Sequence, residues 1–137
     1  MIDPALALQT ALHSHLVAQP TVSALVPAMN IRAGSSRPDN FPGIQITAVT
    51  TVFNGRAAGG QYVANVFTDL HVWTLADGLD AAKQIASTVA STLIDWPDAD
   101  GFEFDAFELQ RVVYPRDPDK DCGHAVMSIE ATIRWRL

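Results

Sequence analysis

His124-Ala125-Val126-Met127-Ser128-Ile129-Glu130-Ala131-Thr132-Ile133-Arg134-Trp135-Arg136 alternates without a break: Ala125, Met127, Ile129, Ala131, Ile133 and Trp135 fall on one parity, Ser128, Glu130, Thr132, Arg134 and Arg136 on the other. Successive side chains of an extended strand point to opposite faces, so this segment is a strand with one dry face and one wet face. Such a strand needs neighbours in a sheet and an apolar layer against its dry side.

Working back from it, Asp117-Pro118-Asp119 has the composition of a turn. Phe102 and Phe104 share one parity, while Phe107, Leu109, Arg111 and Val113 share the other, which predicts a bulge or bend near Asp105-Ala106. Further upstream, Ile44, Ile46, Ala48, Thr50 and Val52 alternate on one face of a strand over 43–52, with 62–74 as its partner. The nine residues from Phe53 through Asn54, Gly55 and Arg56 to Gln61 are too long and too glycine-rich for a tight turn, and are expected to form a mobile hairpin tip. A short strand is expected at 29–32 and a loop at 33–42, where Gly, Ser, Asn and Pro gather.

Two helices supply the apolar layer. Asp3-Pro4 places a capping carboxylate before a proline at the first helical position, and Leu6, Leu8, Leu12, Leu16 and Val17 follow near helical spacing, giving a helix of about 13 residues. Gln19-Pro20-Thr21 interrupts it, and 21–26 can add one turn before Pro27. The second helix carries Leu79, Ala82, Ile85, Ala86, Val89 and Leu93 in a stripe, with Asp77 as its cap and Trp96-Pro97 as its stop. The fold class is therefore α+β: an antiparallel β-sheet with two main helices packed on one face, in a single domain over 1–137.

Composition narrows function. The formal net charge of −6 disfavours a grip on nucleic acid, which needs lysine and arginine to neutralise phosphates. Apolar runs stay well below the length of a membrane helix and Met1-Ile2-Asp3-Pro4 lacks the basic start of a signal peptide, so a soluble, cytoplasmically made chain is expected, with no membrane partner. Cys122 is the single cysteine, which excludes an intramolecular disulfide and a multi-cysteine zinc site. Arg32, Arg37 and Arg56 lie in the first half while 95–105 is acidic, a pairing that copies of the chain could use across an interface.

Candidate chemistry fails on spacing. Asp117, Asp119 and Asp121 begin like a calcium loop, yet Cys122 stands where that loop needs glycine and Ser128 where it needs glutamate. His13 and His15 are two apart on a helix and diverge, so a histidine zinc site would need tertiary contacts involving His71 and His124. Asp69 and His71 share a strand face without a serine placed to complete a triad, and the aspartates near Cys122 would raise its thiol pKa. Glu103 and Asp105 share a strand face, as carboxylate pairs on exposed sheets often do. The glycine-rich tip lacks the lysine and hydroxyl of a phosphate loop. No catalytic, cofactor or metal residue is assigned, and the chain is expected not to be an enzyme.

The order of segments, and four stretches within it, resemble the tail completion (tail terminator) proteins of long-tailed phages and gene transfer agents. These are the helix followed by Pro20-Thr21-Val22-Ser23-Ala24-Leu25-Val26; Phe41-Pro42-Gly43-Ile44; Leu70-His71-Val72-Trp73-Thr74 with the helix bearing Ala81, Ile85 and Ala86; and Arg111 leading to Asp117-Pro118-Asp119 and His124-Ala125-Val126. The resemblance runs from about Pro4 to Arg134. It implies a structural virion protein without a cofactor: a ring of six subunits on the last ring of the tail tube, which stops polymerisation and faces the head-tail connector protein. Partners would be further copies of the chain, the tail tube protein and the connector, at the head-tail junction of a particle assembled in the host cytoplasm. Exposure and charge point to Asn54, Gly55, Arg56 and Gln61 at the tip, and to Arg134 and Arg136 on the last strand, as oligomer or tube contacts. The alternatives are another neck or minor tail component, or a small ligand-binding or enzymatic α+β domain, which would need a concave pocket with converging polar groups.

Overall fold

A computed structural model describes residues 2–34, 37–75, 78–116 and 122–136. Three helices, α1 (Pro4–Val17), α2 (Pro20–Ser23) and α3 (Gly78–Thr92), accompany strands β1 (Ile31–Ala33), β2 (Gly43–Ala57), β3 (Gln61–Leu75), β4 (Glu103–Val113) and β5 (Cys122–Arg136). The strands form one sheet in the order β1-β2-β3-β5-β4. The pairs β2-β3, β3-β5 and β4-β5 are antiparallel. β1 runs parallel to β2, with Ile31 opposite Ile44 and Ala33 opposite Ile46. The sheet is thus mixed where a wholly antiparallel one was expected, because the chain after β1 returns to the end at which β1 began before starting β2. β1 itself lies two residues later than expected, since Ala28–Asn30 form a single 3-10 turn after Pro27.

β5 follows its pattern throughout: Ala125, Met127, Ile129, Ala131, Ile133 and Trp135 are all buried on the helix side. Their cross-strand partners on β3, namely Val72, Leu70, Thr68, Val66, Ala64 and Tyr62, complete the dry face. α1 lies over β2 and β3, and α3 over β3 and β5. Asp3 caps α1 by accepting from the Leu6 N–H at 2.9 Å, and Pro4 opens the helix. Leu8, Ala11, Leu12 and Leu16 enter the core. Leu6 does not, because it sits on the opposite side of the helix from Leu8 and remains 57% exposed. On α3, Ala82, Ile85, Ala86 and Val89 are buried, whereas the helix stops at Thr92, four residues before Trp96. His15 Nε2 donates to the Thr92 carbonyl at 2.7 Å, so a side chain of α1 satisfies an acceptor that the end of α3 leaves open. Asp77 and the turn at Asp117-Pro118-Asp119 lie outside the described residues.

The hairpin differs most from expectation. β2 continues to Ala57 and β3 begins at Gln61, leaving a turn of three residues, 58–60. Gly59 and Gly60 take φ values of +77° and +72°, and Gly55, at +84°, lies in a register shift between Phe53 and Arg56. The glycines that suggested a long mobile tip instead make one bulge and one sharp reversal, which L-residues with a Cβ would resist. A second register shift, between Ala48 and Thr50, turns Thr50 and Val52 to the face without helices, and Ala48, just before it, is exposed as well. β4 has the expected bulge between Phe104 and Ala106 and another between Leu109 and Arg111. The latter turns Val112 inward in place of Arg111 and Val113.

Candidate functional site

The sheet face without helices carries three polar clusters, each built by residues of alternate parity on neighbouring strands. At the hairpin end, Arg134 Nε donates to the two Asp105 carboxylate oxygens at 3.2 and 3.1 Å. Its terminal nitrogens reach Glu103 and the Gln61 side-chain oxygen. The hydrogen bond to Asp105 is the main cause raising the Arg134 pKa above its ordinary value; desolvation opposes it, and the charges of Asp105 and Glu103 add to it. Arg136 Nη1 donates to the Gly59 carbonyl at 3.0 Å, and Gln61 Nε2 to the Ala58 carbonyl at 2.9 Å. Three side chains therefore lock the reversal onto the end of the sheet.

Midway along, a ladder centred on Asn65 joins four strands. Asn65 Oδ1 accepts from Asn54 Nδ2 at 2.8 Å and Thr132 Oγ1 at 3.2 Å, while its Nδ2 donates to Glu130 Oε1 at 3.1 Å. Gln110 Nε2 on β4 reaches the other Glu130 oxygen at 2.7 Å. A ladder of this kind satisfies its members internally and fixes strand register.

At the far end, His71 Nδ1 and His124 Nε2 stand 2.9 Å apart. The ring planes are within 22° and the centroids 5.1 Å apart, the separation of two rings joined edge to edge through one shared N–H rather than stacked face to face. Trp73 stacks on His124 at 3.7 Å and 9°, and the Arg37 guanidinium lies 5.3 Å from a Trp73 ring centroid. Burial pushes the His71 pKa below its ordinary value, against the opposing charge of Asp69. The tertiary contact that a histidine site required does exist, but among the described residues no third histidine, cysteine or acid joins it to hold a metal. Asp69 is not the hydrogen-bond partner of His71, and Glu103 and Asp105 share an arginine instead of facing a substrate.

The six residues singled out from sequence divide between the sheet's faces. Gln61, Arg134 and Arg136 come together at the base of the reversal, and Asn54 belongs to the amide ladder. Arg56 lies on the helix side, its guanidinium 5.2 Å from the Tyr62 ring centroid and donating to the Tyr62 hydroxyl at 3.1 Å. Gly55 is the bulge between these two groups. Sequence reasoning missed the neighbouring apolar side chains: Val49, Val52 and Phe53 are 55%, 45% and 63% exposed. Beyond Ile46 the outer edge of β2 has no backbone partner among the described residues. The signal was present in the continuing apolar pattern, which reads identically for a covered and an uncovered strand.

A second surface feature is an open cleft of about 540 Å³ between α1 and the segment before β4, floored by Ile2, Leu6, Ala7 and Phe102 and edged by Asp98 and Asp100. Among the described residues no helix is long and apolar enough to cross a membrane.

A polar face whose clusters bond mainly to one another, an unpaired strand edge and exposed apolar side chains make the chemistry of this surface that of a contact module on an α+β frame. The chain belongs to the family of tail completion protein gp17, whose sequence model matches residues 10–134. It is a structural protein of phage-type tails. Solved structures share the fold, two of them as follows. One is a chain of the virion of a native gene transfer agent particle, with a TM-score of 0.75 and 20% identity, covering 98% of this chain and 99% of that one. The other is the gp17 protein of bacteriophage SPP1, with a TM-score of 0.56 and 23% identity, covering 93% and 89%. No curated protein matches the chain in sequence.

Proposed function

We propose that copies of this chain, six in number, close into a ring on the end of the tail tube, stop its polymerisation and present a second surface to the head-tail connector protein. The ring would sit at the head-tail junction of a particle assembled in the host cytoplasm. The observation that carries this reading is the outer half of β2, an edge with one neighbour strand and three exposed apolar side chains, in a chain that belongs to a tail completion family. Such an edge invites pairing with another chain unless it is blunted. A head-to-tail contact that closes by rotation ends as a ring rather than a filament. In this reading Asn54, Gly55 and Arg56 approach a neighbour or the tube directly. Gln61, Arg134 and Arg136 act chiefly by holding the reversal in place, through the bonds they make within the chain.

The test is solution mass by light scattering across protein and salt concentrations, with and without tail tube protein. A closed hexamer, formed alone or on the tube protein, is the expected result. A stable monomer indifferent to tube protein would overturn the reading, and binding to connector but not to tube would reassign the chain to another neck component.

A further inference from the structure

The ring reading leaves open which surfaces meet, and two features of the helix side of the sheet answer each other chemically. Phe53 and Arg56 pair with Ala64 and Tyr62, consecutive inward positions of β3, so they stand side by side on that face with a bulge between them. Phe53 is 63% exposed, and no carboxylate faces Arg56 among the described residues. Together they form a knob, aromatic on one side and cationic on the other. The cleft beside α1 has the complementary character: an apolar floor of Leu6, Ala7 and Phe102, with Asp98 and Asp100 at its rim. Leu6 is the one apolar side chain of α1 left strongly exposed, and it lies on this floor. Neither acid has an ion-pair partner among the described residues.

We propose that the Phe53–Arg56 knob of one copy seats in the Leu6–Phe102 cleft of the next, with Arg56 at the Asp98 and Asp100 carboxylates. This rests on the ring reading and names its contact. A cleft of about 540 Å³ has room for an aromatic side chain with a guanidinium at its mouth. Knob and cleft are separate patches, one on β2 and the other between α1 and the segment before β4, so each copy can lend its knob to one neighbour and take another's knob in its cleft, the head-to-tail arrangement a ring requires. Burying Phe53 supplies affinity, and the Arg56-to-acid pairing supplies orientation.

The experiment uses the full chain and two single variants, Phe53→Glu and Leu6→Glu, each replacing an exposed residue, with thermal denaturation of each to establish folding. Mass is measured alone and with tail tube protein. Each variant should lose the ring. A 1:1 mixture should give a dimer and nothing larger, because only one intact knob and one intact cleft remain in the pair. Arg56→Asp should likewise abolish the ring, and combining it with Asp98→Arg and Asp100→Arg should restore it. Rings that persist in both single variants, or a mixture that stays monomeric, overturn the contact while the ring reading stands. A wild-type chain that stays monomeric with and without tube protein overturns both. If either glutamate variant is unfolded, Phe53→Ser and Leu6→Ser carry the same comparison.

Discussion

The two halves of β2 have similar sequences and opposite environments. From Gly43 to Ile46 every residue is buried: β1 flanks one edge, β3 the other, and α1 covers the face. From Ala48 onward the strand pairs, among the described residues, with β3 alone, shifts register twice and leaves Val49, Val52 and Phe53 exposed. An apolar residue is core in the first half and an unpaired contact in the second. The lesson is that alternation reports a face, and only a covering layer makes that face dry. β4 is the sheet's other edge and offers a control, for it carries Glu103, Asp105, Glu108 and Arg111, charges of the kind that blunt an edge, where the outer half of β2 has only Arg56.

The largest effect should come from the inner half. Ile46→Ala, at a fully buried site, is expected to cost about 2–5 kcal/mol in chemical denaturation of dilute protein. Phe53→Ala in the same strand should stay within about 0.5 kcal/mol of wild type. Equal losses at the two positions would erase the distinction between the halves.

Next comes a lysine placed on each edge. Val52→Lys should weaken association with a neighbour or the tube at least about tenfold, measured by light scattering or sedimentation, a change of about 1.4 kcal/mol. Val113→Lys on β4 should leave it unchanged. Loss of assembly in both variants would mean that the two edges are not functionally distinct.

A smaller change is expected where the halves meet. Thr68 lies opposite Ala48, and its buried hydroxyl has no partner among the described residues. Thr68→Val should therefore raise the melting temperature, by about 1 kcal/mol in stability, since an unsatisfied buried group is replaced by a methyl. A fall would show that the hydroxyl is paired in solution.

The smallest effect concerns pH. The folded His71 pKa lies below its ordinary value of 6.5, so the unfolded chain takes up the proton first as pH falls. The contribution to stability is complete above about pH 6.5 and is lost progressively below it, toward the folded pKa. His71→Asn should flatten that part of the stability-pH curve, and an unchanged slope would remove the histidine pair from the account.

Much of the frame was legible because it depends on local periodicity. The Asp3-Pro4 cap, the α3 stripe from Ala82 to Val89, the bulge beside Asp105 and the whole of β5 follow from spacing that backbone geometry enforces. The hairpin reversal was not legible. Gly55, Gly59 and Gly60 announce positive φ, but whether that yields a loose loop, a bulge or a tight turn depends on what holds them, here Arg136 and Gln61 from outside the turn. The candidate contacts were legible as residue types and not as groups. Arg134 reads as a solvated cation until Glu103 and Asp105 arrive beside it, and His71 reads as lone until β5 brings His124 across from the neighbouring strand.

The sequence by itself determined the strand and helix periods, the α+β class and the resemblance to tail completion proteins, because each depends on residues close along the chain or on the order of segments. Tertiary structure alone decided the parallel pairing of β1, the placing of Arg56 and Arg134 on different faces, and the exposure of the outer half of β2. Those outcomes depend on which elements lie beside one another in space, and solvent is excluded by neighbours rather than by the residues it leaves.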